Sequence, residues 1–564
     1  MELSLILLTF AIRTGKNNLN YKIMEYKNRT IVIRNLACTL WMQAVVIMSC
    51  LTAFAPAKTW AQQAEPSEKL TRLFDPGTST IYTFNYPTVN TAGERIVLSS
   101  ALVAWTPDER EASDSIESIH IYSHATIGSD EERPTSQGFS KEQIMLQTLP
   151  RRNYNELLED ASAVYVGRCI IIAPDYEGYG VTKDLPHPYL SQRLTAQQVL
   201  DAVDYGLMLY RKQSAEESGD DLLLPIKSDW RTFAFGYSQG GAVTLALQRL
   251  IEEKGVAEDL HFQGSICGDG PYDLIETMRY YFYDDGTSYG AETDHRKGIS
   301  TYPVVVPLII KGMCATHPAM AKYRIEDFLT QQLLDTGVLG WIDGKQYTTG
   351  EMSGLWYDQL QEGLDASDRH YSPEQMAEMF SSLTEGKVVG YLDKMFTPAT
   401  FAYLNNADSM AVVPDEPATA QQALHRALAD NSVITGWEPQ HRIQFYHSRG
   451  DMVVPFGNYE SFRAAHPEGE NSLYRLNDTF AFDSDHMNAA IFFFAGLSAT
   501  GSFAAHYVWL CEPFTPTGID TKRLTDTQHL ANGNNWYTLD GRRLNGKPAT
   551  KGVYISNNRK VVIK

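Results

Sequence analysis

The pentapeptide Gly-Tyr-Ser-Gln-Gly at 236–240 constrains the fold of this chain more than any other feature. A β-prone stretch at 230–235 precedes it, and a run with apolar residues at helical spacing, 241–251, follows it. A serine between a strand and a helix sits on a strained turn, where neighbouring backbone comes so close that only glycine fits on either side. The pattern therefore predicts a sharp strand-to-helix turn that presents the Ser238 hydroxyl as a nucleophile.

Short apolar runs recur along the chain and are separated by helical stretches such as 194–210. Continuous apolar strands of this kind indicate a parallel sheet that is covered by helices on both faces. The predicted class is therefore α/β, with a mainly parallel sheet. The predicted strands are 80–84, 95–105, 119–124, 169–174, 232–235, 262–268, 442–447 and 473–476.

The pattern changes between the sixth and seventh predicted strands. Residues 275–436 form helical segments with many aromatic side chains, including 303–310 and 374–380. We predict that this insert is a large helical cap or lid over the site, because a segment of this length before the next core strand is typical of one. An ordinary second domain elsewhere is the alternative. The predicted core is accordingly divided into 65–274 and 437–511.

A serine nucleophile needs a base to remove its proton and an acid to hold that base in the right tautomer. In this fold class the acid and then the base follow the serine along the chain. Four of the 14 histidines satisfy this order near the end of the core: His466, His486, His506 and His529. We prefer His486, because it stands in a polar loop that opens directly into an apolar helix at 489–497.

Asp451 is the predicted acid. It follows strand 442–447 and comes directly after Gly450, which permits a tight approach of the backbone. A solvated turn residue is the alternative interpretation of Asp451. Asp483 and Asp485 are further candidates, although their place beside the helix start suits capping groups better.

Backbone donors are also needed to stabilise a tetrahedral intermediate. One expected donor is the amide of Gln239, the residue after the nucleophile. The other is expected in the loop after strand 119–124, at Ala125 or Thr126, where alanine replaces the more usual glycine. We interpret His124 in the same loop as a structural residue.

The composition limits the kinds of partner. The chain has 564 residues, is 43% hydrophobic, which is enough for a large core, and carries a formal net charge of −20. Such acidity argues against nucleic acids and anionic membranes as partners, because clustered lysine and arginine bind phosphates. No C-x-x-C motif occurs, and the acidic run at 281–285 lacks the alternation of a calcium loop. We therefore expect neither a metal nor another cofactor.

The amino-terminal segment is interpreted as a signal peptide rather than part of the fold. Basic residues precede an apolar stretch at 36–55, and Ala61 ends a run with small residues at the positions that a signal peptidase reads, so 1–61 would be removed. A membrane anchor is the alternative, and Met24 is an alternative start. Four cysteines would remain, an even number that permits disulfides without fixing their pattern: Cys169, Cys267, Cys314 and Cys511.

From residue 80 to about 510 the chain resembles the secretory lipase family of the α/β-hydrolases. The motifs that carry the resemblance are those at 123–126, 173–180, 236–240 and 268–274. Residue by residue, the resemblance implies that Ser238 is the nucleophile, Asp451 the acid and His486 the base. It also implies an α/β-hydrolase fold in which the insert forms a lid.

The resemblance implies a secreted serine hydrolase that cleaves small-molecule or lipid carboxylic esters through an acyl-enzyme. A serine peptidase of the same fold is one alternative, because the same triad cleaves amides. A non-catalytic surface binding protein is the other. We further expect that the apolar side chains of the insert, among them Trp341, Trp356 and Phe380, cannot all be buried internally. Part of them should then face the mouth above Ser238 and contact an acyl chain.

The last residues, 536–564, resemble the C-terminal sorting domain used in type IX secretion, and a polar linker at 512–535 precedes them. Alternating apolar residues and Gly552 also suit a small β-module, so a plain accessory domain is the alternative. The resemblance implies that the secretion machinery is a partner. It also implies that the protein is extracellular or attached to the cell surface, with the periplasm as the fallback location.

Overall fold

The computed structural model describes most of the chain after residue 63. The described ranges are 64–74, 79–107, 109–136, 168–216, 223–291, 293–361, 371–477, 484–499 and 507–512, with four short strands between 536 and 563. The predicted signal peptide at 1–61 lies outside these ranges, as does nearly all of the predicted linker at 512–535. Within the ranges described, none of the helices combines the length and the apolar character that a membrane span requires.

The first part of the core contains the predicted strands in their predicted order, preceded by a short strand at Thr71–Phe74, and helices follow its fifth and sixth strands. Its elements are β1 (Thr71–Phe74), β2 (Ser79–Val89), β3 (Arg95–Trp105), β4 (Ile116–Ser123), β5 (Cys169–Pro174), α1 (Gln192–Glu216), β6 (Ile226–Tyr237), α2 (Gln239–Lys254) and β7 (Phe262–Gly268). Helix α2 ends where Gly255 adopts the left-handed conformation, with φ 68°. Glycine reaches this conformation without steric cost, which explains why the helix stops there.

The insert consists of short helices around a small antiparallel sheet of order β8-β10-β9. Its elements are α3 (Leu274–Tyr283), β8 (Ile299–Ser300), α4 (Val305–Thr316), α5 (Gln331–Leu334), α6 (Val338–Gly344), α7 (Thr349–Leu360), α8 (Pro373–Met379), β9 (Phe380–Thr384), β10 (Lys387–Tyr391), α9 (Leu392–Met395), α10 (Pro398–Leu404), α11 (Ala407–Ala411) and α12 (Ala420–Asp430). The predicted helical run 374–380 stops one residue early, because Phe380 is extended, with φ −136° and ψ 154°. Phe380 instead begins the hairpin of β9 and β10, which the helical interpretation of the insert did not include.

The insert has a hydrophobic core, to which Tyr189 and Leu190 from the first part of the chain also contribute. Trp356 is fully buried in it, and its ring stacks on Phe380 with 4.7 Å between centroids. Trp341 is only partly buried and lies 5.9 Å from the Trp356 ring. Trp356 and Phe380 are therefore not among the side chains of the insert that face the mouth. That other apolar side chains of the insert do so stays a prediction. Among the described residues of the insert, the large apolar side chain that is exposed is Val412, at 76%.

The remaining core elements complete a nine-stranded sheet. They are β11 (Arg442–Tyr446), α13 (Gly457–Ala465), β12 (Tyr474–Asn477) and α14 (His486–Ala499). The sheet order is β1-β2-β3-β5-β4-β6-β7-β11-β12, and the six strands from β5 to β12 in this order pair in parallel. The predicted mainly parallel α/β sheet is thus confirmed. Because parallel strands end at the same edge, residues that follow β4, β6, β7 and β11 meet there.

Both faces of this sheet are covered by apolar side chains. One cluster lies beneath α1 and α2, and the other includes Phe493 of α14 together with Tyr507 and Trp509. Cys169 and Cys267 are fully buried in β5 and β7. All four cysteines of the described residues are free thiols.

A separate antiparallel sheet lies at the carboxyl terminus. Its strands are β13 (Trp536–Tyr537), β14 (Arg543–Leu544), β15 (Gly552–Ser556) and β16 (Arg559–Ile563), and their order is β14-β13-β15-β16. This agrees with the small β-module expected for the tail. Its use as a sorting signal stays a prediction.

The insert core yields a stability prediction. Replacing Trp356 by alanine should lower the free energy of unfolding by about 3–5 kcal/mol, because it removes a fully buried ring and leaves the Thr336 hydroxyl without its indole N–H donor. Trp341→Ala is the matched control and should cost clearly less, since that ring is partly exposed. Denaturant unfolding of the three proteins measures both values. Equal losses for the two variants would contradict the assignment of Trp356 to the centre of the insert core.

Candidate active site

Ser238 stands on the turn between β6 and α2 with φ 57° and ψ −124°, a conformation that side-chain-bearing residues rarely adopt. Its N–H donates a hydrogen bond of 2.9 Å to the carbonyl of Gly268. A Cβ atom on Gly236 would overlap the backbone of Gly240, and one on Gly240 would overlap the carbonyl oxygen of Ser123. The two glycines of the pentapeptide are therefore required by close backbone packing, as the sequence predicts.

His486 is the first residue of α14 and lies beside Ser238. Its Nε2 atom is 2.9 Å from Ser238 Oγ, and its Nδ1 atom is 2.5 Å from Asp451 Oδ2. An ionised carboxylate can only accept, so the Nδ1–H group donates to Asp451 and Nε2 is left to accept from the serine hydroxyl. The Tyr237 hydroxyl donates to the His486 carbonyl at 2.7 Å, which fixes the start of the helix behind the imidazole.

Asp451 lies in the loop after β11, and its side chain has no exposed surface. Its other oxygen, Oδ1, accepts the backbone N–H groups of Val453 and Val454, both at 2.8 Å. The loop thus supplies two donors that compensate the burial of the carboxylate and aim Oδ2 at His486. The structure brings Ser238, His486 and Asp451 into one hydrogen-bonded chain, although the three are far apart in sequence.

The other candidates for the base and the acid lie elsewhere. His466 Nε2 is 2.8 Å from the carbonyl oxygen of Ile434, and it is not part of this chain of contacts. Asp485 accepts the N–H of Asn488 at 2.8 Å in the first turn of α14, which is the capping contact expected of it. The remaining candidates, His506, His529 and Asp483, lie outside the described residues.

The charges around His486 favour its protonated form. Burial of the ring would by itself lower its pKa, but the negative charge of Asp451 and the hydrogen bond to it outweigh this effect, and Asp269 adds to them. The pKa of His486 therefore lies above its ordinary value. A base of this kind is fully neutral only when the pH is well above that pKa.

Asp269 is a buried carboxyl group beside these residues that the sequence analysis did not assign. It follows β7 directly, and its Oδ1 accepts the N–H of Ser448 at 2.7 Å and lies 3.7 Å from His447 Nε2. Burial raises the pKa of Asp269 to about 6; His447 acts against this rise, and the nearby charge of Asp451 adds to it. Its position in the sequence could have singled it out. Asp269 directly follows β7, which pairs with β6, and a residue there lies at the same sheet edge as Ser238.

Asp269, His447 and Asp451 each place one potential ligand atom within 4.8 Å of the others. A cation could in principle use such a donor set. However, both oxygens of Asp451 already accept hydrogen bonds, from His486 and from the backbone of 453–454. We therefore interpret the three residues as a cluster of buried polar groups beside His486 rather than as a metal site.

The residues expected to donate to an oxyanion lie next to the turn at Ser238. Gln239 is the first residue of α2, so its backbone N–H has no acceptor within the helix. Ala125 and Thr126 follow β4, whose last residue, Ser123, contacts Gly240. The geometry brings the two segments together, and their use as donors stays a prediction.

The ring of His124 packs against the backbone of this loop. Its ring nitrogens lie 2.7 Å from the carbonyl oxygen of Ala125 and 3.2 Å from that of Asp175, and its ring stacks on Tyr176 at 3.7 Å between centroids. Burial lowers the pKa of His124 to about 4, so the ring is neutral near pH 7. These contacts fit the structural role expected for it.

Asp175 holds the neighbouring turn in place. Its fully buried carboxylate accepts the Ser99 hydroxyl at 2.6 Å, the Thr135 N–H at 2.9 Å and the Thr135 hydroxyl at 2.5 Å. Arg133 Nε lies 3.9 Å away. The carboxylate therefore connects β3, the loop after β4 and the turn after β5.

No protein-family profile and no curated protein matches this chain. Among solved structures, the ligand-bound form of the rice cell wall degrading esterase LipA from Xanthomonas oryzae superposes with a TM-score of 0.52 at 18% identity, covering 74% of this chain and 88% of that chain. A second structure of the same esterase gives 0.51 at 17% identity, with 76% and 90% covered. Candida antarctica lipase A in its closed state gives 0.46 at 14% identity, with 80% and 83% covered. The likeness to the Xanthomonas oryzae enzyme, together with the sheet order and the turn at Ser238, shows that this chain has the α/β-hydrolase fold.

Proposed function

We propose that this protein is a serine hydrolase of lipase or esterase type, which cleaves carboxylic esters through an acyl-enzyme on Ser238. The observation that carries the proposal is the chain of hydrogen bonds from Ser238 through His486 to Asp451, with distances of 2.9 and 2.5 Å. Nucleophile, base and orienting acid are the parts that this chemistry needs in contact. The esterase among the solved structures of the same fold supports the same class of reaction.

In the first half of the reaction, Ser238 Oγ attacks the ester carbonyl carbon while His486 Nε2 takes the hydroxyl proton. The negative oxygen that forms is held by the backbone N–H of Gln239 and by an amide at Ala125 or Thr126. The bond to the alcohol oxygen then breaks, and His486 gives its proton to the leaving alcohol. In the second half, water gives a proton to His486 as its oxygen attacks the acyl carbon. The bond between the acyl carbon and Ser238 Oγ then breaks, and His486 gives its proton to Ser238 Oγ as the acid leaves.

The substrate side of the proposal rests on the fold. The esterase of known structure that shares it supports a small-molecule or lipid ester as the substrate.

We also propose that the insert at 275–436 acts as a cap over this site. Its support is contact with the loop that carries the acid: the Tyr281 hydroxyl donates to the carbonyl of Val453 at 2.5 Å, and the Thr301 hydroxyl donates to that of Met452 at 3.3 Å. Because the aromatic core of the insert is internal, an acyl-chain contact from the insert would have to come from other side chains.

Export is proposed on the sequence alone. The signal peptide at 1–61 would direct the chain across the inner membrane, and the tail at 536–564 would engage the type IX machinery. The mature protein would then be extracellular or held at the cell surface. Deleting 536–564 should leave the protein in the periplasm, and unchanged release of the shortened protein would show that the tail is an accessory domain.

Substrate profiling tests the proposed reaction class. The purified protein is assayed with p-nitrophenyl esters of increasing acyl length and with aminoacyl p-nitroanilides. Turnover of esters with little turnover of anilides is the expected result. Preferential cleavage of anilides would indicate a peptidase, and no turnover of any ester would overturn the proposal in favour of a binding protein.

The roles of the three residues lead to a first kinetic prediction. Ser238→Ala and His486→Ala should each lower kcat by about 10³- to 10⁶-fold, and Asp451→Ala somewhat less, because the three groups act as a unit. Asp485→Ala is the control, since that carboxylate caps α14 and does not contact the imidazole nitrogens. Circular dichroism verifies that each variant is folded. A large loss in Asp485→Ala with near-full activity in Asp451→Ala would show that the acid is wrongly assigned.

The pH dependence of kcat/KM provides a second prediction. Only neutral His486 can take the serine proton, so activity should rise with pH through the pKa of His486, at a midpoint above the ordinary histidine value of about 6.5. Burial raises the pKa of Asp269 to about 6, so above that pH the group is mainly ionised and its negative charge stabilises the imidazolium. Asp269→Asn should therefore move the midpoint to lower pH. An unchanged or higher midpoint in the variant would refute the electrostatic role of Asp269.

A further inference from the structure

The short segment 187–191 contacts both segments that are proposed to donate to the oxyanion. The Nε2 atom of His187 lies 2.9 Å from the side-chain Nε2 of Gln239, the residue after the nucleophile. Two residues later, the Tyr189 hydroxyl lies 2.9 Å from Thr126 Oγ1, in the loop after β4. One short stretch of chain therefore holds the two segments that are expected to donate to the oxyanion.

The direction of the first contact follows from the surroundings of His187. Its Nδ1 atom lies 2.8 Å from the carbonyl oxygen of Glu177, which can only accept, so Nδ1 carries the proton. The Nε2 atom then accepts the amide N–H of Gln239. Burial lowers the pKa of His187 to about 3, so the ring stays neutral and remains an acceptor across the working pH range.

The opposite side of the segment is held by the insert. Helix α4 passes so close to Tyr189 that a Cβ atom on Gly312 would overlap the Tyr189 carbonyl oxygen. The Ser191 hydroxyl lies 2.5 Å from that of Thr316, at the end of the same helix. The segment is thus clamped between α4 of the insert and the two backbone segments beside Ser238.

We propose that His187 and Tyr189 are positioning residues for the oxyanion hole, and that through them the docking of α4 controls how well the two donor amides are aligned. The proposal rests on the proposed ester hydrolysis, because only that reaction gives the two amides an oxyanion to bind. The positioning role follows from the two contacts of His187 and Tyr189, since backbone donors must be held within a fraction of an ångström to act in the transition state. Neither residue contacts the nucleophile or the base; each acts through a neighbour.

Tyr189→Phe tests the second contact with the removal of a single hydroxyl. We expect kcat for p-nitrophenyl esters to fall about ten- to a hundredfold with little change in KM, since alignment in the transition state is lost while ground-state binding is kept. Affinity for a trifluoromethyl ketone analogue of the substrate should fall by the same factor as kcat/KM. Tyr210→Phe is the matched control, because that buried hydroxyl donates to the Leu224 carbonyl at 2.9 Å in another part of the core.

A double-mutant cycle with Thr126→Val separates positioning from general destabilisation. Both single variants break the same hydrogen bond, so Thr126→Val combined with Tyr189→Phe should cost no more in kcat than the larger single effect. If the fold-loss in kcat of the double variant equals the product of the two single losses, the proposed contact is contradicted. Thermal unfolding of all variants records stability separately.

The first contact is tested at His187. His187→Ala should lower kcat as Tyr189→Phe does, and His187→Gln should restore part of the loss because its amide oxygen can accept the same N–H of Gln239. In the insert, Thr316→Val removes the hydroxyl contact to Ser191 and should lower kcat by a smaller factor in the same direction.

The outcomes distinguish this inference from the function on which it rests. If the wild-type protein hydrolyses esters and is labelled at Ser238 by a fluorophosphonate, the proposed function stands. If Tyr189→Phe and His187→Ala then match the Tyr210→Phe control in kcat and in affinity for the analogue, the positioning role is refuted. If the wild-type protein neither turns over esters nor is labelled, the proposed function itself has failed.

Discussion

The close approach of three backbone segments at Ser238 is the constraint on which the rest of the site depends. The end of β4, the turn after β6 and the first turn of α2 touch through Gly236 and Gly240, where no side chain would fit. This packing holds Ser238 at φ 57° and places its hydroxyl at the sheet edge, 2.9 Å from His486 Nε2. The same packing sets the loop after β4 beside the amide of Gln239. The packing at Gly236 and Gly240 therefore positions both Ser238 and the loop after β4.

The opposite side of the site is dominated by buried charge. A carboxylate without exposed surface is costly, and the loop after β11 offsets this cost with two backbone N–H groups and the imidazole of His486. A second buried carboxyl group, Asp269, is held through Ser448 and lies near His447. Their combined negative charge outweighs the burial of the imidazole and raises its pKa. The raised pKa of His486 thus depends on carboxyl groups that follow two strands, β7 and β11.

Much of this arrangement could be predicted from the sequence because its signals are local. Glycine at 236 and 240, the apolar strands and the apolar run after His486 each depend on neighbours in the chain. They predicted the mainly parallel sheet and the turn at Ser238. They also singled out the acid and the base that the structure brings together. The catalytic roles of these residues stay proposals.

The features that the sequence did not predict depend on contacts between distant segments. Asp269 influences the pKa of His486 because β7 lies between β6 and β11 in the sheet. Local sequence patterns do not reveal this strand order. The buried pair Trp356 and Phe380 reflects packing of α7 on the hairpin of β9 and β10, whereas composition alone suggested an exposed apolar surface. The contact between His187 and Gln239 joins residues that are distant in sequence, and only the fold brings them together.

The most direct measurement of the central claim is peptide mapping of the acyl-enzyme. The protein is mixed with a p-nitrophenyl ester, quenched in acid during the burst of p-nitrophenol release, digested and analysed by mass spectrometry. We expect about one acyl group per protein, attached to Ser238, and no adduct in Ser238→Ala. Ester turnover without an adduct on Ser238, or an adduct on another residue that survives in Ser238→Ala, would contradict it.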